Sequence, residues 1–241
     1  MKLRGNAAVH IEPLGDCAAL VHLGDGIDVQ LSARSVAVAA TIQAAALPGL
    51  LDVAPAYASV CVRYDPCAWI GDDASTPFAR FSARLQQCVE SAHDTEYAES
   101  APVCEIPLCY GGEFGPDLDA VAQHSGLAPD EVIARHSASE YRVAMLGFAP
   151  GFPYLLGLDA ALHMPRRASP RTHVAAGSVA IGGAQTGIYP RTLPGGWQVI
   201  GRTPLQLFDA ARNPPALLAP GQRVRFRVIA AAAMAAAAAG T

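Results

Sequence analysis

The sequence predicts an α+β protein in two parts, a small layered domain followed by a β-barrel domain. In the first 92 residues, two helix patterns lie among short strand patterns. From residue 145 to 202, by contrast, glycine or proline recurs every few residues, with short runs of Val, Ile and Leu between them. Proline removes a helical hydrogen-bond donor and glycine makes a helix entropically costly, so this stretch favours strands joined by tight turns. A chain of 241 residues is long enough for a core in each part.

The N-terminal domain is expected to span residues 1–92. Its predicted elements, in order, are strands at residues 9–11 and 18–23, a helix over 30–46, strands at 50–53 and 59–64, and a helix over about 76–92. Apolar residues recur every three or four positions in both helices, and Pro48-Gly49 follows the first as a stop signal. Two helices against about four strands predict a small α+β layer.

The second domain is expected to span residues 103–229, after an acidic linker of low apolar content at 93–102. Its predicted elements are a strand at 103–108, helices at 116–125 and 129–136, many short strands from 141 to 208, and a strand at 223–229 whose arginines alternate with apolar residues. Many short strands with turn residues between them predict a closed or nearly closed barrel. The Ala-rich tail, residues 230–241, is expected to fray.

Composition excludes several classes of protein. A formal net charge of −4 argues against a nucleic-acid-binding surface. No apolar run approaches the roughly 20 residues of a membrane span, so no membrane partner is expected. The six cysteines form no C-x-x-C pair and no secretory signal precedes them, which predicts reduced thiols in a cytoplasmic protein. A phosphate-binding G-x-x-x-x-G-K-[ST] motif is absent from the sequence.

The arginines of the turn-rich stretch are the first candidates for ligand binding. Residues 145–202 contain five arginines and a single acid, Asp159. Because the planar guanidinium group grips two oxygens at once, Arg166, Arg167 and Arg171 are predicted to clamp a carboxylate or phosphoryl group, with Arg202 contributing. Two alternatives stay open, namely a solvated loop of scattered surface arginines and a surface that meets a partner protein.

A second candidate is the glycine-rich turn within residues 182–189. Backbone N–H groups of Gly182 and Gly183, with the side chains of Gln185 and Thr186, are the groups from which an oxyanion hole or anion nest is built. Two adjacent glycines are equally typical of a simple hairpin turn. Tyr189 is placed with this group.

The aromatic residues of the stretch could line the same cleft or fill the barrel core. They are Phe148, Phe152, Tyr154 and Trp197, of which Phe152 is predicted to contact the ligand.

Candidates for proton transfer are weaker. His136 and Glu140 are four residues apart and could form an acid–base pair on one helix face, although a packing role for His136 is the more plausible alternative. Gln185 is a further weak catalytic candidate. His136 and Glu140 would be only two metal ligands, and a third is not found near them in the sequence, so no metal site is expected. The surroundings of Ser178 do not form a nucleophile elbow, so a serine hydrolase is not expected.

Several sequence blocks carry a resemblance to a known family. They are CYGGEFGPD at 109–117, GFAPGFPY at 147–154, PRRASPR at 165–171, AGSVAIGGAQTGIYPR at 176–191, PGGW at 194–197 and GRTP at 201–204, with a weaker match in PLGD at 13–16. In these blocks the chain resembles the family of 5-oxoprolinase B-type subunits, also called allophanate hydrolase subunit 1 or the KipI (sporulation kinase inhibitor) family. Ala175 departs from the family pattern, which has proline there and so a stiffer turn.

The resemblance implies a cyclophilin-like β-barrel in the second domain. It also implies one component of an ATP-dependent 5-oxoprolinase, an amide (lactam) hydrolase that converts 5-oxo-L-proline to L-glutamate and is active only in complex with A-type and C-type partner subunits. ATP with Mg is then expected at the level of the complex, with no covalently bound cofactor. The location of the ATP site and of the catalytic base among the components stays open. The alternatives are a component of a hydrolase that acts on allophanate in a urea pathway and a non-enzymatic inhibitor of a sensor histidine kinase.

Overall fold

The structure, a computed structural model, describes residues 9–92 and 102–234. The chain divides into two compact units, Met1–Glu99 and Ser100–Thr241, called here the N-terminal unit and the barrel unit. The predicted α+β class is confirmed, with a layered sheet in the first unit and a closed barrel in the second. Of the predicted linker, all but residue 102 lies outside the described residues.

The N-terminal unit is a four-stranded antiparallel sheet with two helices. Its elements are β1 (His10–Pro13), β2 (Ala18–His22), α1 (Val29–Ala44), β3 (Leu50–Pro55), β4 (Ser59–Tyr64), a short 3₁₀ helix (Pro66–Trp69) and α2 (Pro77–Ser91), with strand order β1-β2-β4-β3. Helix α1 begins after Asp28, whose carboxylate accepts the N–H groups of Gln30 and Leu31 and so caps the helix. Inward residues of the central strands pack with α2, and the rings of Tyr64 and Phe81 stack at 3.9 Å.

The barrel unit has nine strands and two α-helices in its described part. They are β5 (Val103–Tyr110), α3 (Leu118–Ser125), α4 (Pro129–Ala138), β6 (Tyr141–Leu146), β7 (Pro153–Leu156), β8 (Arg171–Val174), β9 (Ser178–Gly182), β10 (Gln185–Ile188), β11 (Leu193–Gly195), β12 (Gln198–Arg202) and β13 (Arg223–Val228). Seven of these strands close the barrel in the order β10-β7-β6-β13-β5-β12-β9. The other two, β8 and β11, pair as a separate ribbon.

Every residue of β9 and β10 is buried, because both faces of this hairpin are covered. Val179 and Ile181 point into the barrel core, which α3 and α4 also cover. Ala180 alternates with them and faces a second, largely aromatic cluster on the opposite side. The barrel wall thereby separates an aliphatic interior from an aromatic patch on its outer side. This aromatic patch forms one wall of the candidate site.

The start of the tail is ordered, contrary to the prediction that it frays from residue 230. Residues 231–234 form a helical turn, and Met234 is buried with 7% of its surface exposed. Burial of a large apolar side chain stabilises a turn that low complexity alone does not predict. Residues 235–241 lie outside the described part. No helix in residues 9–92 or 102–234 is both long and apolar enough to span a membrane.

Candidate functional site

A cavity of about 350 Å³ opens beside β9 and β10, on their aromatic side. Its lining residues are Phe148, Phe152, Tyr154, Arg166, Arg167, Pro170, Tyr189, Pro194, Gly195, Gly196 and Trp197. The lining therefore combines aromatic rings with two arginines and has no carboxylate. Aromatic walls with a few placed polar groups are typical of small-molecule sites.

The aromatic wall is a close-packed group of rings held edge to face. The ring of Phe152 lies 5.1 Å from that of Tyr189 and 5.8 Å from that of Trp197, at interplanar angles of 85° and 87°. Tyr154 and Trp197 are 5.7 Å apart. These are the offset geometries that aromatic pairs prefer, so the wall is rigid. Of the two alternatives for these aromatic residues, the cleft wall is observed and the barrel core is not, since the rings line the cavity and belong to a cluster separate from the barrel core.

Glycines make this packing possible. A Cβ atom on Gly182 would lie 2.5 Å from ring carbons of Trp197, and one on Gly195 would lie 2.1 Å from the hydroxyl oxygen of Tyr189. Because a side chain at either position would collide with a ring, these glycines of the motif permit close approach of the aromatic residues rather than supplying free amides.

Burial raises the pKa of both tyrosine hydroxyls in the lining. For Tyr189, a hydrogen bond with the Trp197 backbone and the positive charges of Arg166 and Arg171 act in the opposite direction but do not overcome burial. For Tyr154 the charge of Arg166 opposes burial in the same way. Both hydroxyls therefore stay protonated at neutral pH and can donate hydrogen bonds.

Arg166 supplies the cavity with an uncommitted positive charge. Its guanidinium carbon lies 5.9 Å from the centroid of the Trp197 ring, within cation–π distance. In the described part of the chain, no carboxylate lies at ion-pair distance from it. This arrangement holds the guanidinium against an apolar wall and leaves its N–H groups available to an anion.

Arg167 and Arg171 are committed to Asp117, which is only 4% exposed. Arg171 makes a bidentate pair with the Asp117 carboxylate at 2.6 and 2.8 Å, and Arg167 donates to it at 3.0 Å. The premise of the predicted clamp, that no acid pairs these arginines internally, is therefore wrong, while their contact with a ligand stays a prediction. The premise fails because Asp117 lies 50 residues before Arg167 in the sequence yet meets it in space.

The same carboxylate fixes the loop that carries the arginines. Asp117 also accepts the backbone N–H of Val199 at 2.7 Å, which ties residues 165–171 to strand β12. The hydrogen bond with Asp117 raises the pKa of Arg171 further above its ordinary value, so Arg171 stays charged. Asp117 was missed from sequence, although it closes the first of the family-like blocks, at 109–117.

The glycine-rich turn is a hairpin connection between two strands of the barrel. Gly182 pairs with Gln185 across β9 and β10. The N–H of Gly183 donates to the carbonyl of Met164 at 2.7 Å, and the hydroxyl of Thr186 donates to the carbonyl of Ala180 at 3.1 Å inside the barrel. The amide of Gly183 and the hydroxyl of Thr186 thus already have partners, and the backbone of the turn is that of a simple hairpin.

Gln185 is 7% exposed and does not line the cavity. Its side-chain nitrogen has no hydrogen-bond partner among the residues that the structure describes. Strand alternation places its side chain on the same face of the strand as Gly187 and Tyr189.

His136 lies in the barrel core, outside the cavity lining. Its ring nitrogens bond the hydroxyls of Tyr110 at 2.7 Å and Thr186 at 3.1 Å, and its ring stacks on Phe226 at 4.7 Å. Burial lowers its pKa to about 3. The suggested acid–base pair is wrong, because His136 is a neutral packing residue while Glu140 pairs with Arg223 at 2.5 and 2.7 Å.

The remaining predicted residue, Arg202, does not join the cavity. Its guanidinium carbon lies 5.4 Å from the ring of Phe114 instead. The structure thus unites Arg166, Arg167, Phe152 and Tyr189 in one lining and leaves the other predicted ligand contacts outside it. Within the described ranges, no cluster of three or more His, Cys, Asp or Glu side chains is arranged to hold a metal ion.

One lining residue not predicted to contact a ligand has an unusual backbone. Phe148 has φ of 66°, in the left-handed region that non-glycine residues rarely adopt, and 62% of its surface is exposed. Its ring meets that of Phe152 edge to face at 5.6 Å. A left-handed phenylalanine cannot be predicted from sequence, because the flanking Gly and Pro residues signal a turn but not which residue takes the strained conformation.

Comparison with known proteins identifies relatives of this chain. Residues 9–218 match the family model for the carboxyltransferase domain, subdomain C and D. The 5-oxoprolinase B-type subunit of Bacillus subtilis (strain 168) is 45% identical over 220 residues, which cover 90% of this chain and 91% of that protein.

Solved structures share the fold. The crystal structure of TTHA0988 is 37% identical with a TM-score of 0.75, and the match covers 88% of this chain but only 40% of the longer TTHA0988 chain. The urea amidolyase of K. lactis matches with a TM-score of 0.72 over 95% of this chain and 15% of its own; at 19% identity this likeness concerns the fold alone.

Proposed function

This chain belongs to the carboxyltransferase-domain family of subdomains C and D, in the branch of the 5-oxoprolinase B-type subunits, and from this premise we propose that it is the B-type component of an ATP-dependent 5-oxoprolinase. In this role it acts in the cytoplasm with A-type and C-type partner subunits. The complex opens the lactam ring of 5-oxo-L-proline and releases L-glutamate. The contribution of this chain is to bind and orient the substrate.

The observation that carries the proposal is the position of Arg166 over Trp197 in the cavity. 5-Oxo-L-proline is a five-membered ring with one carboxylate, and a cavity of about 350 Å³ is at the small end of ligand sites. The carboxylate pairs with the free guanidinium of Arg166, because Arg presents N–H groups in a fork that matches two oxygens. The ring lies against the aromatic wall.

The lactam group is oriented by the tyrosine hydroxyls of the lining. Tyr154 and Tyr189 stay protonated because burial raises the pKa of each, so either can donate to the lactam oxygen. A donor at that oxygen favours the charge that develops there when the amide carbon is attacked. Removal of either hydroxyl is expected to weaken orientation rather than abolish carboxylate binding.

The catalytic base and the nucleotide are assigned to the partner subunits. The cavity lining contains no His, Asp, Glu, Cys or Lys, and so no ordinary general base. It also offers no carboxylate oxygen of the kind that Mg²⁺ prefers. The lining of this cavity therefore does not fit a nucleotide with its metal ion, and the proposal has ATP with Mg bind elsewhere in the complex.

The longer relatives support a function that requires further protein. In TTHA0988 and in the K. lactis urea amidolyase, the matching fold is one part of a longer chain. In those proteins the matching fold is covalently joined to further chain. In the proposed complex, separate subunits would take the place of that further chain.

The test is reconstitution with the two partner subunits, followed by assays of glutamate release and ATP consumption. We expect ATP consumption to depend on 5-oxo-L-proline. The Arg166→Gln variant is expected to raise KM for 5-oxo-L-proline by about 10- to 150-fold, since a hydrogen bond to a charged group contributes about 1.5–3 kcal/mol. Arg225→Gln is the matched control, because Arg225 is exposed on β13 and does not line the cavity.

Three outcomes would contradict the proposal. The first is an unchanged KM in the Arg166→Gln complex. The second is a complex that hydrolyses allophanate but not 5-oxo-L-proline. The third is inhibition of a sensor histidine kinase by this chain, with no lactam hydrolysis in any reconstitution.

A further inference from the structure

Asp117 controls how many positive charges the cavity offers to a ligand. Its buried carboxylate accepts four hydrogen bonds, one from Arg167, two from Arg171 and one from the backbone of Val199. Arg167 lines the cavity, and Arg171 lies close enough to Tyr189 for its charge to act on that hydroxyl. The guanidinium of Arg167 in the lining and that of Arg171, which acts on a lining hydroxyl, are thereby neutralised in part by one acid.

The remaining positive charge matches a ligand of one negative charge. Arg166 is the lining arginine with no acid partner in the described part of the chain. A phosphoryl group carries close to two negative charges and three acceptor oxygens, and proteins hold it with several free donors, often more than one arginine. A carboxylate needs only one fork of two N–H groups.

We propose that Asp117 is a specificity-determining residue, which restricts the cavity to small carboxylates of single charge and excludes phosphorylated dianions by occupying Arg167 and Arg171. The inference rests on the proposed carboxylate site and adds that this site does not bind phosphorylated dianions. It follows that any phosphorylated species formed by the complex is held outside this cavity.

A purely structural role for Asp117 makes a different prediction. If Asp117 only ties residues 165–171 to β12, its loss weakens every ligand alike. If it sets specificity, its loss frees guanidinium groups, so binding of a dianion becomes tighter while binding of a monocarboxylate does not. The ratio of the two affinities therefore separates the roles.

The experiment is calorimetric titration of the full chain with 5-oxo-L-proline and with inorganic phosphate as the dianion probe. Wild-type protein is expected to bind 5-oxo-L-proline at least tenfold more tightly than phosphate. Asp117→Asn is expected to bind phosphate at least tenfold more tightly than wild type does, and Asp117→Asn/Arg171→Gln is expected to lose most of that gain. Glu140→Gln, which breaks an arginine pair outside the cavity lining, is the matched control and is expected to change neither affinity.

Each outcome decides a different point. A folded Asp117→Asn protein without a gain for phosphate, or a gain that persists fully in the double variant, overturns the inference while leaving the carboxylate site intact. If wild-type protein binds phosphate as tightly as 5-oxo-L-proline, the inference is overturned. This result needs no variant, so it decides the matter even if Asp117→Asn does not fold. Wild-type protein that binds neither ligand overturns the carboxylate site and this inference with it.

Discussion

At the scale of single residues, Asp117 determines what the arginine-rich loop can do. The sequence predicted an anion-binding role for Arg166, Arg167 and Arg171 from their number and the scarcity of nearby acids. Only Arg166 remains uncommitted, because Asp117 approaches from 50 residues away. Sequence composition counts charges along the chain, whereas ion pairing depends on distance in space, and no local signal connects Asp117 to its partners.

His136 provides a residue-scale prediction about pH. Burial holds its pKa near 3 in the folded protein, below the ordinary value of 6.5 in the unfolded chain. As pH falls below about 6.5, His136 becomes protonated in the unfolded state but stays neutral in the folded state. The free energy of unfolding therefore falls progressively down to about pH 3. Between pH 7 and pH 5 this group is expected to lower the free energy of unfolding by about 2 kcal/mol.

The measurement is urea denaturation of wild type and His136→Gln at pH 7 and pH 5. Glutamine does not titrate, and all other ionisable groups are common to both proteins. The loss of stability on acidification is expected to be smaller in the variant by about 2 kcal/mol. An equal loss in both proteins would show that His136 is already charged or exposed in the folded state.

At the scale of elements, the hairpin of β9 and β10 explains both the success and the failure of the sequence analysis. Its short runs of apolar and small residues predicted strands joined by a glycine turn, which the structure confirms. The same glycines left two interpretations open, anion-binding amides and a simple hairpin turn. The sequence could not decide between them because glycine indicates close approach without indicating what approaches, and at Gly182 the neighbour is the ring of Trp197.

Gly182 tests this explanation of the hairpin. In Gly182→Ala the new methyl group meets rigid ring carbons of Trp197 at 2.5 Å, so we expect the free energy of unfolding to fall by about 1–3 kcal/mol and ligand affinity to fall with it. Gly196→Ala is the matched control for stability, because its added Cβ has no neighbour nearer than 3.6 Å. Chemical denaturation of both variants measures the difference. Equal stabilities would mean that the aromatic wall moves freely away from β9.

At the scale of the whole molecule, the architecture was predictable and the site only in part. Periodicity separated a layered α+β region from a turn-punctuated barrel region, and both are observed. The sequence did not decide whether the aromatic residues line a cleft or fill the barrel core. Aromatic residues in a strand-rich segment are expected in either position. Phe148, Trp197 and Asp117 enter the site through loops and long-range contacts, which depend on the closed barrel rather than on local sequence.

The molecule as proposed binds and orients a substrate and carries no catalytic base in its cavity. In that proposal, the aromatic wall and the guanidinium of Arg166 would select a small cyclic acid. In the proposed function, the chemistry that consumes ATP is left to the partner subunits.

A crystal structure of the chain soaked with 5-oxo-L-proline tests this account most directly. We expect the ligand in the cavity beside β9 and β10, its carboxylate within about 3 Å of the Arg166 guanidinium nitrogens and its ring against the aromatic wall. A ligand bound elsewhere, or bound in the cavity with its carboxylate turned away from Arg166, would contradict the account.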